Sequence, residues 1–560
     1  MNHLLSILLV LPVLGALTTA LLPRGEDRLA KGVGLFFSGL AFLVSLPLAT
    51  AFEAGRAGMQ FEERHAWIDR FGIGYHVGVD GLSVWLVLLA TFLTPLCIWG
   101  AWRAIDHRSR EFVVSMLLLE TGMIGALVAL DLVLFFTFWE VMLVPMALII
   151  GIWGSEQRVK AAIKFFLYTM VGSALMLAAI VYLAVVHYQV TKGTLSFDLA
   201  DLDRVVLPPD VQALCFWAFV ASFAIKVPLF PVHTWLPDAH TQAPTPGSVI
   251  LAGVLLKLGT YGFIRFAMPL FPGAAAEAAQ LLAILAIVGI VYGALVAYAQ
   301  SDVKRLVAYS SVSHMGFVVL GIVGMTTQGL TGATYQSLAH GLTTGALFLC
   351  IGVLYERRHT RALDAFGGVA KVMPIFTAVF MIAMLGSAGL PGLVGFVGEF
   401  LIMVGTFSGS AHVLNDPPLL VLVAATGVIL GAVYLLHMFQ RVMFGPITHP
   451  ENEKLRDLSL REQLVFAPIL ALIVLMGVYP KPFLETIDPS AQALAAHFTH
   501  KRCASVALAR SGASRAALAD DFAEACTDPM AVIRAVYGDE RAPQVSGFGP
   551  APRQEGPRAP

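Results

Sequence analysis

The sequence predicts an all-α polytopic membrane protein, and three observations carry that expectation. Of its 560 residues, 57% are hydrophobic and 13% are charged, and the mean hydropathy is +0.77; a soluble globular domain carries about 25% charged residues. The apolar residues fall into runs of about 20, the length that crosses a bilayer as a helix. Lone ionisable residues stand inside several of those runs.

In order, the runs lie near 3–22, 32–53, 81–102, 112–128, 131–153, 163–187, 212–229, 247–268, 279–300, 306–325, 337–355, 373–406, 418–440 and 463–480, about 14 spans in all. The N-terminal MNHLLSILLVLPVL has no basic stretch ahead of its apolar run, so it reads as the first span and not as a cleaved signal peptide. The seventh run meets Pro228 and Pro231 directly after Lys226. Each proline removes a backbone donor and frees the carbonyl four residues back, here those of Ala224 and Val227. The twelfth run is too long for one straight crossing and is interrupted at GSAGLPG, from Gly386 to Gly392. Free backbone groups at membrane depth are tolerated only against protein or water. Broken helices at matching places in two halves point to a transport site. The breaks are five spans apart, which predicts two inverted five-helix repeats, spans 4–8 and 9–13. The expected organisation is helices 1–3 over 1–110, a first repeat over 111–268, a second over 279–440, helix 14 with its flanks over 441–494, and a polar, partly disordered tail over 495–560.

Loops after odd-numbered spans carry 19 Lys and Arg, against 6 after even-numbered spans. The positive-inside rule then puts both termini on the outer, periplasmic side. Disulfides persist there, and Cys503 and Cys526 in the tail are candidates for one, with two free thiols the equal alternative. The end of the tail, PQVSGFGPAPRQEGPRAP, is rich in Pro and Gly and reads as disordered.

Several function classes find no support. Cys97, Cys215, Cys350, Cys503 and Cys526 form no CxxC pair, which argues against iron–sulfur or zinc ligation. No GxGxxG follows a strand and no GxxxxGK is present, so redox or nucleotide chemistry would sit on another subunit. No basic stripe or recognition motif points to nucleic acid.

What remains is a short set of ionisable residues inside apolar runs: Glu120, Glu140, Lys226, Lys257, His314, His340 and Glu399. A lysine at the centre of a membrane helix costs about 2.5–3.5 kcal/mol on insertion scales and marks a functional site by default. A structural ion pair is the alternative for Glu140, Lys226, Lys257 and Glu399, and a satisfied core position for the two histidines. Glu120 lies nearer a loop and reads first as structural. His233 and His240 flank the break, where they cap the helix or touch water. Lys304 reads as a loop charge that could reach inward. Burial disfavours a charged lysine and a nearby carboxylate favours it, so moving a Glu140–Lys226 pair apart would release a proton. Arginine could not do this. Histidine suits relaying protons between such sites.

Five segments carry a family resemblance: FWEVMLVPM, KVPLFPVHTWLPDAHTQAPTPGSVILAGVLLKLGTYGF, SDVKRLVAYSSVSHMGF, SLAHGLTTGALF and LPGLVGFVGEF. They resemble the antiporter-like membrane subunits of respiratory complex I over roughly 81–479. In that family the last broken helix carries lysine in some subunits and glutamate in one, and Glu399 matches the glutamate-bearing kind. The resemblance implies a proton-translocating subunit of an NADH–quinone oxidoreductase. Glu140 and Lys226 would form the coupled pair of the first half, Lys257 the central lysine, His314 and His340 the relay, and Glu399 the last site. It implies no cofactor on this chain, with FMN, iron–sulfur clusters and quinone in partner subunits. The implied partners are the other complex I membrane subunits, the bilayer and no nucleic acid, in a bacterial cytoplasmic membrane. A cation/proton antiporter or membrane-bound hydrogenase subunit shares most of these motifs and is the rival. The tail from about Ala495 does not match the family, and Pro246 stands where alanine is expected.

Overall fold

A computed structural model describes residues 3–193, 195–409, 413–513, 515–530 and 532; the Pro- and Gly-rich end of the tail lies outside them. Every run read as a span is helical. The helices are α1 (Leu4–Leu21), α2 (Asp27–Ser45), α3 (Val84–Gly100), α4 (Ser109–Val128), α5 (Leu132–Trp153), α6 (Arg158–Thr191) and α7 (Pro209–Lys226, then Trp235–Gln242). There follow α8 (Thr245–Leu270), α9 (Pro272–Tyr298), α10 (Val303–Val323), α11 (Thr327–Arg358) and α12 (Pro374–Ser387, then Val394–Phe407). The last are α13 (Pro417–Met443), α14 (Leu460–Val478) and α15 (Lys481–Arg510). Among the described residues, 11 helices are long and apolar enough to cross a membrane, and α3 and both pieces of α12 are shorter apolar helices.

Both expected breaks are present. At the first, the freed Ala224 carbonyl accepts from the Leu229 N–H at 2.9 Å, and the Ile225 carbonyl accepts from the Trp235 indole at 2.8 Å. The Ala224 carbonyl is thus recaptured by protein, a correction to its reading as a free group. At the second, Gly389 and Gly392 take positive φ, a conformation that glycine reaches without a Cβ penalty. Gly395 packs so closely on the first piece of α12 that a Cβ there would lie 2.2 Å from the Gly386 carbonyl oxygen.

The two halves share a further detail. Asp131 caps α5 by accepting from the Val133 and Leu134 N–H groups, and Asp302 caps α10 through Lys304 and Arg305. Each also makes an isolated antiparallel bridge to the segment before a broken helix, Asp131 to Asp198 and Asp302 to Ala362. The cap satisfies N–H groups that have no partner inside the helix.

The two classes of loop gather at opposite faces of the bundle. On one face Leu5 N–H donates to Glu63 at 2.8 Å and Gly81 N–H to Ser490 at 3.1 Å. On the other, Arg361 donates to the Thr241 carbonyl at 2.6 Å and Arg357 to the Arg456 carbonyl at 2.8 Å. Some of the cations counted as loop charges are buried: Lys31 donates to the carbonyls of Trp102 and Ile105, and Arg265 pairs with Asp80 at 2.5 Å.

Two things amend the all-α expectation. A hairpin, β1 (Gln60–Ile68) with β2 (Ile73–Val79), stands between α2 and α3. Its anchor is His76, which bonds Asp198 at 2.7 Å and Glu62 at 2.8 Å. Burial lowers the His76 imidazolium's stability, and the two carboxylates outweigh it, so its pKa is raised. A second pairing joins β3 (Val205–Val206) to β4 (Ala517–Leu518). The tail boundary also moves: residue 495 falls inside α15, a 30-residue helix.

Two outcomes are expected. Gly395→Ala lowers the thermal midpoint of the purified protein by an amount equivalent to about 1–3 kcal/mol of overpacking. Gly39→Ala, inside α2 and with nothing within 4 Å of its Cβ position, does not lower the midpoint. Because the His76 pKa is raised on folding, its contribution is present below the unfolded value of about 6.5 and fades as pH rises through the folded value. The stability gap between the native protein and His76→Gln is therefore largest below about pH 6.5 and narrows as pH rises above it.

Candidate functional site

The site is built where α8, α10, α11 and α12 meet. From Gly329 to Leu354 every side chain of α11 is buried, including Thr331, Gln336, Ser337, His340 and Thr344. Polar groups so placed need partners, since an unpaired one costs about 1–3 kcal/mol. Close backbone approach supplies the first. A Cβ on Gly341 would lie 2.8 Å from the Gly253 carbonyl, so α11 and α8 run together beside His340 and Ala252. Lys257 donates to the Ala252 carbonyl and to His340 Nδ1 at 2.6 Å.

Lys257 stands between two π-helical stretches, Leu251–Leu255 and Phe263–Ala267. Widened turns of this kind leave a carbonyl without its usual partner and are frequent at functional sites. The lysine takes one such carbonyl, that of Ala252.

The cluster continues from His340. The His340 and His314 rings are 5.7 Å apart, centre to centre. His314 Nδ1 bonds Glu399 at 2.9 Å, and the Tyr434 hydroxyl meets His314 Nε2 at 3.2 Å. Gln336 donates to the same Glu399 oxygen at 3.0 Å. The other Glu399 oxygen would lie 3.2 Å from a Cβ on Gly389, so the carboxylate touches the break in α12. Lys257, His340, His314 and Glu399 thus form a row of ionisable groups through four helices.

The first half is arranged differently. Lys226 is the last residue of the first piece of α7 and is fully buried. Its ammonium sits 4.9 Å from the Trp139 ring centre and 5.9 Å from that of Phe165, and has no hydrogen-bond partner. Aromatic faces attract a cation and stabilise it by about 2 kcal/mol when desolvated. Glu140, next to Trp139, is the charge that acts on Lys226, yet one of its oxygens is buried without a partner and no direct bond joins the two. The structure therefore brings Lys257, His340, His314 and Glu399 into one cluster and holds Glu140 and Lys226 as a separated pair. A Cβ on Gly259 would lie 2.7 Å from Val227, so α8 presses on the α7 break between the two groups.

The expected site set omits two residues that the structure adds. His240, on the second piece of α7, is fully buried, with both ring nitrogens unpartnered, and its ring stacks on Phe348 at 4.7 Å. Lys257 and Lys304 both act on it electrostatically. Lys304 does reach inward: it is buried and donates to the Ala243 carbonyl. It lines a cavity of about 120 Å³ with Gln242, Ser155 and Arg361. The PTPGS turn was the available signal, because it returns α8 antiparallel to the His240 segment. His233 stacks on Phe230 at 5.7 Å and meets Tyr292 edge-on at 5.3 Å. Asp238 pairs with Lys164 at 2.7 Å. Glu120 is buried with both carboxylate oxygens unpartnered.

Comparison with known proteins matches this geometry to a family. Residues 129–440 match the family described as NADH:quinone oxidoreductase/Mrp antiporter, TM. NADH-quinone oxidoreductase subunit M of Rhodobacter capsulatus is 47% identical over 522 residues, covering 91% of this chain and all of that protein. NADH-ubiquinone oxidoreductase chain 4 of Marchantia polymorpha is 42% identical, covering 88% and 97%. A chain of respiratory complex I from Thermus thermophilus with bound NADH superposes with a TM-score of 0.79 at 34% identity, covering 88% of this chain and 99% of that one. A chain of the Mrp complex from Dietzia sp. DQ12-45-1b shares the fold, with a TM-score of 0.74 at 21% identity over 88% and 98%. The chain belongs to the NADH:quinone oxidoreductase/Mrp antiporter family of membrane subunits, among the relatives named subunit M.

Proposed function

We infer that this membrane subunit of an NADH–quinone oxidoreductase moves protons from half-buried Glu140 through the buried row Lys226, Lys257, His340, His314 and Glu399, with Lys304 and His240 feeding it from the cavity beside Gln242. The observation that carries this reading is the Lys257–His340 bond, continued through His314 to Glu399. It puts groups able to gain and lose a proton side by side, away from lipid and ending at a broken helix. Redox chemistry belongs to other subunits, and the other complex I membrane subunits are its partners.

The arrangement supplies two unlike halves. In the first, Lys226 is held by ring faces and by Glu140 at a distance. A small shift of the carboxylate changes whether the lysine keeps its proton, because Coulomb attraction falls with separation. In the second, hydrogen bonds already bridge Lys257 to His340 and His314 to Glu399, and the two rings lie 5.7 Å apart, centre to centre. Releasing Lys226's proton toward Lys257 pushes the next positive charge along the row. Moving one charge against 100 mV takes about 2.3 kcal/mol, within reach of one altered ion pair at a buried site. The close identity to subunit M relatives favours the oxidoreductase over the antiporter rival. The cation-rich face is the cytoplasmic one on this reading, which leaves the N-terminus and the tail outside.

Three outcomes follow. Glu140→Gln and Lys226→Ala each reduce NADH-driven proton pumping, and turnover with it, at least severalfold in the assembled complex; pumping at the native rate in both counts against the pair. Lys257→Met abolishes pumping through this subunit, while Lys257→Arg, which cannot release its proton, fails equally. His240→Phe, which fits the Phe348 stack, slows pumping without altering assembly or thermal midpoint; an unchanged rate removes His240 from the row.

A further inference from the structure

We propose that residues 515–526 form a disulfide-locked strap that fastens α15, and through it the end faces of α7 and α11, to the segment 199–206 that leads into broken helix α7. Five contacts carry this. Cys503 on α15 is bonded to Cys526, which folds the chain beyond α15 back onto it. The strap then pairs as a strand with 205–206, Val205 opposite Leu518 and Val206 opposite Ala517. Ala519 N–H donates to the Arg204 carbonyl at 2.8 Å, and Arg204 pairs with Asp520 at 2.7 Å. A small apolar cluster of Val206, Ala504 and Leu508, covered by Ala517, Ala519 and Phe522, lies beneath, separate from the main core.

The part of α15 that the strap grips is itself wired to the transport helices. Lys501 and His497 both reach Asp203, each at 2.9 Å. Burial would raise the Asp203 carboxyl, but Lys501 and then His497 outweigh it and hold it down to about 2. Gln212, in the first turn of α7, donates to Ser505 of α15 at 3.4 Å and accepts from the Ala274 N–H of α9 at 2.9 Å. Further back along α15, Asp488 accepts from Thr331 of α11 at 2.6 Å. The helix thus touches both halves of the bundle, α7 with Lys226 and α11 with His340. A hydrogen-bonded contact of this kind alone opens readily at a surface. A covalent bond closing the strap shortens the reach of any such opening.

The strap stands whether or not the proton reading does, since its test reads structure. Dithiothreitol donates two electrons and two protons to the Cys503–Cys526 bond, giving two thiols, and closes to its own cyclic disulfide. In the intact purified complex, hydrogen exchange is followed at 199–206 and 497–508 with and without dithiothreitol, and in Cys526→Ser. The expected result is exchange about tenfold faster in both segments on reduction and in the variant, with 340–354 of α11, beyond the Thr331 contact, unchanged. Arg204→Gln in the oxidised protein gives a smaller rise at 199–206. Alkylation of intact cells with a membrane-impermeant maleimide, after reduction only, labels both cysteines. Labelling of both without reductant, or exchange that reduction leaves unchanged, overturns the strap. If Cys526→Ser does not assemble, the reductant arm on assembled complex decides alone.

Discussion

An ionisable group cannot rest in hydrocarbon by itself, and the architecture follows from how each one is accommodated. Lys226, Lys257, His314, His340 and Glu399 are all 5% exposed or less, so neither lipid nor bulk solvent meets them. Lys257 is answered by a carbonyl and an imidazole, Glu399 by an imidazole and an amide, Lys226 by two aromatic faces. Removing one partner from such a set leaves a buried charge uncompensated, at about 3–5 kcal/mol. That penalty gives the site its leverage, since a shift of partner becomes a shift of proton.

The backbone irregularities sit where these groups sit. α7 ends its first piece on Lys226, α12 breaks against Glu399, and α8 widens on both sides of Lys257. Each supplies a carbonyl or a turn that a regular helix would keep to itself. Glycines then let neighbouring backbones close on the irregular stretch: Gly341 on Gly253, Gly259 on Val227, Gly395 on Gly386. A transport site of this kind needs helices that can rearrange locally while the outer bundle stays packed.

Much of this was legible in the amino-acid sequence, because hydropathy and lone charges speak directly about a bilayer. The runs and both breaks lie where the pattern put them, and five of the lone ionisable residues, Lys226, Lys257, His314, His340 and Glu399, are buried within the bundle. Pairings were less legible. Nothing local announces that Lys257 faces His340, 83 residues away, or that Glu140 stays short of Lys226; those depend on how helices rotate about their axes. Lys304 looked like a loop charge because its neighbours Asp302 and Arg305 are, yet a flexible four-carbon stem carries its ammonium inward. For His240 the sequence leaves capping and contact with water equally open, because the fold-back of the proline-rich turn beside it is a long-range property. The hairpin and the strap were hidden because short strands in polar connections carry little periodicity against fourteen apolar runs. The two free thiols kept as an alternative for the tail gave way to a bond once α15 brought Cys503 beside Cys526.

The central claim is that these buried groups exchange protons along a hydrated row. The most direct measurement is a map of the assembled complex, at a resolution that shows ordered solvent, along the line from Glu140 through Lys226, Lys257, His340 and His314 to Glu399. The account predicts water density bridging Lys226 to Lys257 beside the Val227–Gly259 contact. Dry side-chain packing that separates these groups throughout would contradict it.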